Sequence, residues 1–362
     1  MIKFLHLENV RGLNSMEVPF SDGVTVISGK NGAGKTTLLE AIHLLSQGYS
    51  FRSRELREMI AWEKPEMILR GNLENTFGES RRAVSVQRNG EILAKKNGTE
   101  SKSGGIFFGE TPAVAMQPSD IGLVQGAPEQ RRRWMNELLC FQNTANADKL
   151  RRYRRVLMQR NSWLKQKKSG EAPGGESLYQ ILTEQLIELG AFIWQKRLEL
   201  TQELSRHIAQ TYELLSNRTD SVNCTYRSSA GESGSFTSPQ EFKNAFAARL
   251  ETLDEAERRQ GITLAGPHKD DFVLWHDHHE LRTSGSQGQC RSAAIAMRFS
   301  ATAIAETHLA KPVLLLDDIF AELDPYRRAA VAELIRQKQT QVFIATPRAE
   351  DLSFTPDQEI RI

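Results

Sequence analysis

Gly29 to Thr37 reads GKNGAGKTT. That spacing belongs to glycine loops that cradle nucleotide phosphates. Gly29, Gly32 and Gly34 free the backbone around Lys30, Asn31 and Ala33, so that N–H groups turn toward phosphate oxygens. A helix opening at Thr36–Thr37 would present its positive end to the same anion. Lys35 is placed to neutralise the β- and γ-phosphates, and the Thr36 hydroxyl to ligate Mg²⁺. This chemistry also needs an acidic strand end, and the best candidate, PVLLLDD, ends far along the chain at Asp318. There Asp317 would hold Mg²⁺, and Asp318 would orient and polarise an attacking water as general base. A carboxylate pair that merely caps the next segment is the plain alternative.

SGSQGQ, Ser284 to Gln289, places a serine and glycines at the start of a helical run. This pattern is a second anion site or, more simply, a helix cap. A second phosphate loop in one chain is redundant unless it meets a nucleotide held by another copy. That logic implies a two-fold dimer with ATP sandwiched between the copies.

The elements around these residues explain their separation. From Met1 to about Met116 the sequence is strand-rich, with turn signals at Asn89-Gly90, Asn97-Gly98 and Gly104-Gly105. From Pro128 to about Asn217 helix formers dominate, interrupted by KSGEAPGGES. Leu182, Leu186, Leu189, Ile193, Leu200, Leu204 and Ile208 form an apolar helical stripe, so two helices joined by that loop make a hairpin. A serine- and glycine-rich stretch (Ser221 to Ser238) and one short helix follow. Strands return at ITLAGPHKDDFVLW, PVLLLDD and, last, QVFIAT. The expectation is an α/β head split between residues 1–127 and 259–362, with a helical hairpin domain inserted at 128–258.

Bulk properties narrow the class. The chain has 362 residues, 39% apolar and 25% charged, with a net charge of +2. That describes a globular protein whose affinity for polyanions must come from local patches. Cys140, Cys224 and Cys290 lie far apart with no C-x-x-C pair, which argues against a disulfide framework and a thiolate zinc site and fits a reducing cytosol. No apolar run is long enough to span a membrane and no signal-like segment opens the chain, so a cytoplasmic location without a membrane partner is expected. Between Pro128 and Lys168, twelve Lys or Arg face three acids. This excess marks Arg131, Arg132, Arg133, Arg151, Arg152 and Arg155 as candidates for DNA phosphates, read by backbone and shape and not by base sequence. His268, with Asp270 and Asp271 beside it, lacks further ligands at metal spacing, so a structural or coupling role is expected.

GKNGAGKTT, SQGQ, LLLDD and AELD, in that order, resemble the ABC-type head ATPases of the SMC kind. GPHKDDF, VQGAPEQRRRWM, YRRVLMQRNSWL and LLLDDIFAELD bring the resemblance to the RecF family, over Val10 to Thr346. The resemblance implies an ATP-dependent homodimer that binds gapped DNA or single–double strand junctions. With RecR and RecO, it would help load RecA where single-strand-binding protein blocks it, with weak, DNA-dependent ATP hydrolysis. By the same resemblance Ser286, Gly288 and Gln289 contact the γ-phosphate across the dimer, and Asp324 couples the two sites. Arg11 contacts the nucleotide. Gln117 senses the γ-phosphate and offers a further ligand to Mg²⁺. Asp318 stands where many ABC relatives carry glutamate, so hydrolysis should be slow. IATPR lacks the histidine common after the last strand, leaving Thr346 as the candidate there. A transporter's nucleotide-binding subunit, or an adaptor that uses ATP only as a structural ligand, are the competing classes.

Overall fold

The computed structural model describes residues 1–362 except 76–77, 172–173, 217–220, 230–237, 350–351 and 353. Part of the serine- and glycine-rich stretch after Ser221 therefore lies outside the described residues. The chain forms two compact units. The first comprises Met1–Ile121, Thr211–Arg218 and Arg291–Ile362; the second comprises Gly122–Gln210 and Thr219–Cys290.

In chain order the first unit begins with β1 (Ile2–Val10), β2 (Leu13–Pro19), β3 (Val24–Ser28) and helix α1 (Lys35–Gln47). β4 (Glu66–Asn75), β5 (Gly78–Gln87), β6 (Ile92–Lys96), β7 (Thr99–Ser101) and β8 (Ala113–Met116) follow. The helical stretch holds α2 (Gly122–Gln125), α3 (Pro128–Gln142), α4 (Asn146–Lys168) and the 42-residue α5 (Gly175–Ser216). After it come β9 (Val222–Arg227), α6 (Pro239–Gln260), β10 (Asp271–His276), β11 (His279–Glu280) and the single turn α7 (Leu281–Ser284). The chain closes with α8 (Gln287–His308), β12 (Val313–Asp317), α9 (Pro325–Gln337), β13 (Val342–Thr346) and β14 (Gln358–Arg361).

Two sheets build the first unit. β14-β3-β13-β12-β8 is wholly parallel, and its inner strands VTVIS, VFIAT and VLLLD are nearly continuous apolar runs, as strands covered on both faces require. β2-β1-β4-β5-β6-β7 is antiparallel, and β4 and β5 alternate buried with exposed residues as one-sided sheets do. Asn97 (φ 47°) and Gly98 (φ 87°) turn β6 into β7, the backbone that a tight hairpin demands. Gly104-Gly105, expected as a turn, instead opens a short 3₁₀ helix. α1 is buried on every side, with Leu38, Leu39, Ile42 and Leu45 in the core shared by both sheets. Burial pushes its His43 imidazole down to about 4.

β14 went unforeseen; QVFIAT is not the last strand. QEIR alternates without a strong apolar run and pairs with β3 alone, so local pattern gives it little signal.

In the second unit the apolar stripe of α5 is buried throughout. The helix after Ser238 runs 22 residues and is not short. Ser238 and Glu241 form a reciprocal capping box around Pro239, which anchors its start. A buried ion pair ties α4 to α6: Arg160 lies 2.7 Å from Glu257, at 1% and 0% side-chain exposure. The guanidinium also donates to Tyr179 Oη (2.7 Å), Thr263 Oγ1 (2.8 Å) and Thr183 Oγ1 (3.0 Å). Glu257→Ala leaves a buried cation without its counter-charge and is expected to cost about 3–5 kcal/mol of stability. Urea unfolding that moves by under about 1 kcal/mol would show the pair to be dispensable.

Candidate nucleotide site

The parallel strands end together. Ser28 of β3 pairs with Thr346 of β13, Ala345 with Asp317 of β12, and Leu316 with Met116 of β8. The P-loop after Ser28, the Asp317–Asp318 pair and Gln117 therefore share one edge, the carboxyl end where open parallel sheets place their ligands.

At that edge Thr36 and Asp317, 281 positions apart in sequence, meet directly. Thr36 Oγ1 donates to both carboxylate oxygens of Asp317, at 2.8 and 2.9 Å. These are hard oxygens of the kind that hold Mg²⁺. Burial pushes the Asp317 carboxyl above its ordinary value; the Thr36 hydrogen bond opposes this, the charge of Asp318 adds to it, and Arg52 and Lys35 draw it back. Lys35 is buried, and its ammonium spans the loop, donating to the carbonyls of Gly29 (2.8 Å) and Lys30 (3.0 Å). Gly34, at φ 110°, is the N-cap of α1, and no side chain caps the helix. The first N–H groups of α1, from Lys35, Thr36 and Thr37, thus face an open end fit for an anion. Lys30, Asn31 and Gly32 are exposed, and a Cβ on Gly32 would meet nothing within 4 Å, so ligand phosphates have room. A Cβ on Gly34 would come within 2.7 Å of Leu13, which ties the loop to β2. Uncapped N–H groups, a cation and paired hard oxygens fit a magnesium–nucleotide.

Asp318 adopts the left-handed conformation (φ 52°), a strained setting for a side chain at a functional edge, and its N–H donates to Ala345 O at 3.0 Å. Gln117 leaves β8 beside Asp317; its N–H donates to Asp120 at 2.9 Å. Arg11 is also left-handed (φ 49°), and its guanidinium is held by Glu40 (3.1 Å) and Ser53 Oγ (2.7 Å). Burial works against the Glu40 charge, yet hydrogen bonds from Ser50, Ser53 and Arg11 hold its carboxyl below the usual range. Thr346 donates its hydroxyl to Arg348 O at 3.3 Å. Asp324 caps α9 by accepting the Arg327 N–H at 2.9 Å, the main reason its carboxyl lies low. Arg52, whose charge reaches Asp317, was missed: it belongs to no motif, and only the fold brings the loop after α1 to the acidic strand end.

Ser286, Gly288 and Gln289 belong to the second unit. Ser286 N–H donates to Gln289 Oε1 (2.8 Å) and Gln289 N–H to Ser286 Oγ (3.2 Å), a reciprocal cap on α8. Ser286 remains exposed.

The basic stretch divides. Arg131 is 3% exposed and grips Asp271 through two hydrogen bonds, at 2.7 and 2.9 Å, with Leu123, Val124 and Gly126 carbonyls taking the rest of its fork. A DNA phosphate cannot reach it, which corrects its place among the DNA candidates. Arg132 is half-buried and donates to Asp270 O at 2.8 Å. Arg133, Arg151, Arg152 and Arg155 are exposed. Around α4, Arg151, Arg152, Arg154 and Arg155 share one broad solvent face, because Tyr153, Val156, Arg160, Trp163 and Leu164 turn inward.

His268 is structural in geometry. Its Nδ1 accepts from Tyr153 Oη (2.7 Å), its Nε2–H donates to Thr263 O (3.2 Å), and burial pushes it down to about 4. Asp270 accepts from Trp194, Tyr226 and Ser229. Among the described residues no three His, Cys, Asp or Glu cluster as a metal site, and all three cysteines are free and buried. No helix of the described residues is long and apolar enough to cross a membrane.

A nucleotide edge on a parallel sheet, a covering antiparallel sheet and an inserted helical hairpin define an ABC-type ATPase head. The family model for the RecF/RecN/SMC N terminal domain matches residues 1–362. The DNA replication and repair protein RecF of Exiguobacterium sp. is 30% identical over 362 residues, covering 100% of this chain and 96% of that one. RecF of Heliobacterium modesticaldum is 34% identical, covering 99% and 94%. A structure of the recombination mediator protein RecF with ATP, of the RecFOR pathway, superposes with TM-score 0.91 at 30% identity, covering 100% of this chain and 95% of that one. An Smc head bound to the C-winged helix domain of ScpA gives TM-score 0.58 at 16% identity, covering 99% and 93%, and shares the fold alone. The chain belongs to the RecF family.

Proposed function

We propose that this chain is an ATP-dependent DNA-binding protein of recombinational repair, acting in the cytoplasm. ATP with Mg²⁺ draws two copies into a dimer that binds gapped DNA or single–double strand junctions. With RecR and RecO the dimer promotes RecA loading, and slow, DNA-dependent hydrolysis resets it. The observation that carries the reading is the meeting of Thr36 with Asp317, which joins a phosphate loop to an acidic strand end across the chain. Residues Gly29 to Thr37, with Arg11, bind the nucleotide. Thr36 and Asp317, with Gln117 beside them, hold Mg²⁺, which when bound neutralises phosphate charge. Asp318 takes the proton of the attacking water. Ser286, Gly288 and Gln289 reach the partner's γ-phosphate, Asp324 couples the sites, and Arg52 adds a cation near the acidic pair. The exposed arginines Arg133, Arg151, Arg152 and Arg155 meet DNA phosphates.

The deciding experiment titrates a gapped duplex without nucleotide, with ADP, and with ATP plus Mg²⁺, following oligomeric state by ultracentrifugation. Tighter binding and a dimer only with ATP, both lost in Ser286→Arg, support the clamp. Assembly and binding indifferent to nucleotide would sink it. In the same assay Arg151→Glu/Arg152→Glu/Arg155→Glu should weaken DNA binding at every sequence. The salt slope should fall by about 0.9 for each duplex phosphate no longer neutralised. An unchanged slope would move the DNA surface elsewhere.

A further inference from the structure

Thr36 and Glu40 stand four positions apart on α1, so their side chains share one helix face. Thr36 meets Asp317 at the nucleotide edge; Glu40, one turn further on, is fully buried. A buried carboxylate so near a phosphate loop repels the anion that the loop is built to receive. Its partners give it a different task. Arg11 Nε donates to Glu40 Oε2 at 3.1 Å, while Ser50 Oγ and Ser53 Oγ both donate to Oε1. Arg11 Nη2 also donates to Ser53 Oγ at 2.7 Å. Ser50 Oγ in turn accepts the N–H groups of Arg52 (3.0 Å) and Ser53 (2.7 Å), which closes the backbone around Arg52. Arg52 is exposed, and its positive charge reaches Asp317. One buried carboxylate thus ties down two arginines from separate segments, the turn between β1 and β2 and the loop after α1.

We infer that Glu40 is a positioning residue for the nucleotide site: it holds Arg11 directly and Arg52 through the Ser50–Ser53 turn, so that both cations are preset beside the phosphate loop. Free arginine side chains lose rotamer freedom when they close on a phosphate. Two that are already held give up less, and the affinity for the anion rises. Glu40 itself touches no nucleotide in this scheme. The inference rests on the nucleotide site proposed above and adds what orders its two arginines.

Glu40→Gln keeps the side chain's length and an acceptor for the serines, but removes the charge that grips Arg11. Binding of a fluorescent ATP analogue with Mg²⁺ should weaken about tenfold. In an Arg11→Gln/Arg52→Gln background the same substitution should change binding by less than about twofold, since nothing remains to be positioned. A purely structural role predicts the opposite, with affinity and melting temperature falling alike in both backgrounds. Equal losses in both, or parental binding by Glu40→Gln, would overturn the inference. Should Glu40→Gln melt below the working temperature, Ser50→Ala is read instead, because it leaves every contact of Arg11 in place. Its loss of affinity, about threefold, should vanish once Arg52→Gln is present. Parental binding by Ser50→Ala, or a loss that persists beside Arg52→Gln, overturns the inference equally. A parent that binds no ATP sinks the functional reading and this inference together. A parent that binds ATP, with Arg11→Gln/Arg52→Gln binding it as tightly, sinks the inference and leaves the phosphate loop standing.

Discussion

Lys35→Met is expected to weaken ATP binding about a hundredfold and to abolish the ATP-induced dimer. A charge-assisted hydrogen bond contributes about 1.5–3 kcal/mol, and this ammonium has no substitute in the loop. Its side chain is buried and folded back onto Gly29 and Lys30, so it is already aimed where phosphate oxygens would arrive. Lys30 is the next cation along, but its side chain is exposed, where solvent screens it. Lys35→Arg should fail nearly as completely. The planar guanidinium is wider than an ammonium and cannot reach two carbonyls and a phosphate from the same buried seat. Equilibrium binding of a fluorescent ATP analogue, with melting temperature as the folding control, separates lost affinity from lost structure. A well-folded Lys35→Met that still dimerises with ATP would remove the loop from the mechanism.

Much of this site is legible in the sequence because its parts obey local rules. A glycine loop after VTVIS and two carboxylates after VLLL each specify a strand end, and parallel strands put such ends on one edge. The long helix α5 was readable from its apolar stripe, which needs only its own periodicity; the expected single helix before the KSGEAPGGES loop is instead two, α3 and α4, parted at residues 143–145. What stayed hidden depends on distant partners. Arg131 and Arg133 carry the same side chain two positions apart, yet one is locked to Asp271 and the other is exposed. Nothing in RRRW announces a carboxylate 140 residues away. Arg52 is likewise anonymous until α1 and the loop after it fold back over β12. The capping residues Ser286 and Asp324 show the reverse case. Their local role as helix caps is complete in itself, so geometry within one copy neither requires nor excludes a second role toward a partner.

Asp318→Asn should slow ATP hydrolysis by about 10²–10⁴-fold, the usual contribution of a positioned general base, while leaving nucleotide binding and dimerisation intact. The substitution is unusually clean. Asp318 sits in the left-handed region, which asparagine tolerates as well as aspartate, so the turn after β12 keeps its shape. Asparagine is also isosteric, and the N–H bond to Ala345 O belongs to the backbone and survives. What disappears is the ability to accept a proton. Removing the negative charge beside Asp317 also relieves one of the influences that raise the Asp317 carboxyl. If hydrolysis resets the dimer, a variant that binds but does not hydrolyse must accumulate in the assembled state. Its complex with gapped DNA should then outlive the parent's by a similar factor. Phosphate release under single turnover, paired with the lifetime of the DNA complex after dilution into excess competitor, tests both halves. Unchanged turnover would mean that Asp318 is not the base. Slowed turnover with an unchanged lifetime would mean that hydrolysis is not what opens the dimer.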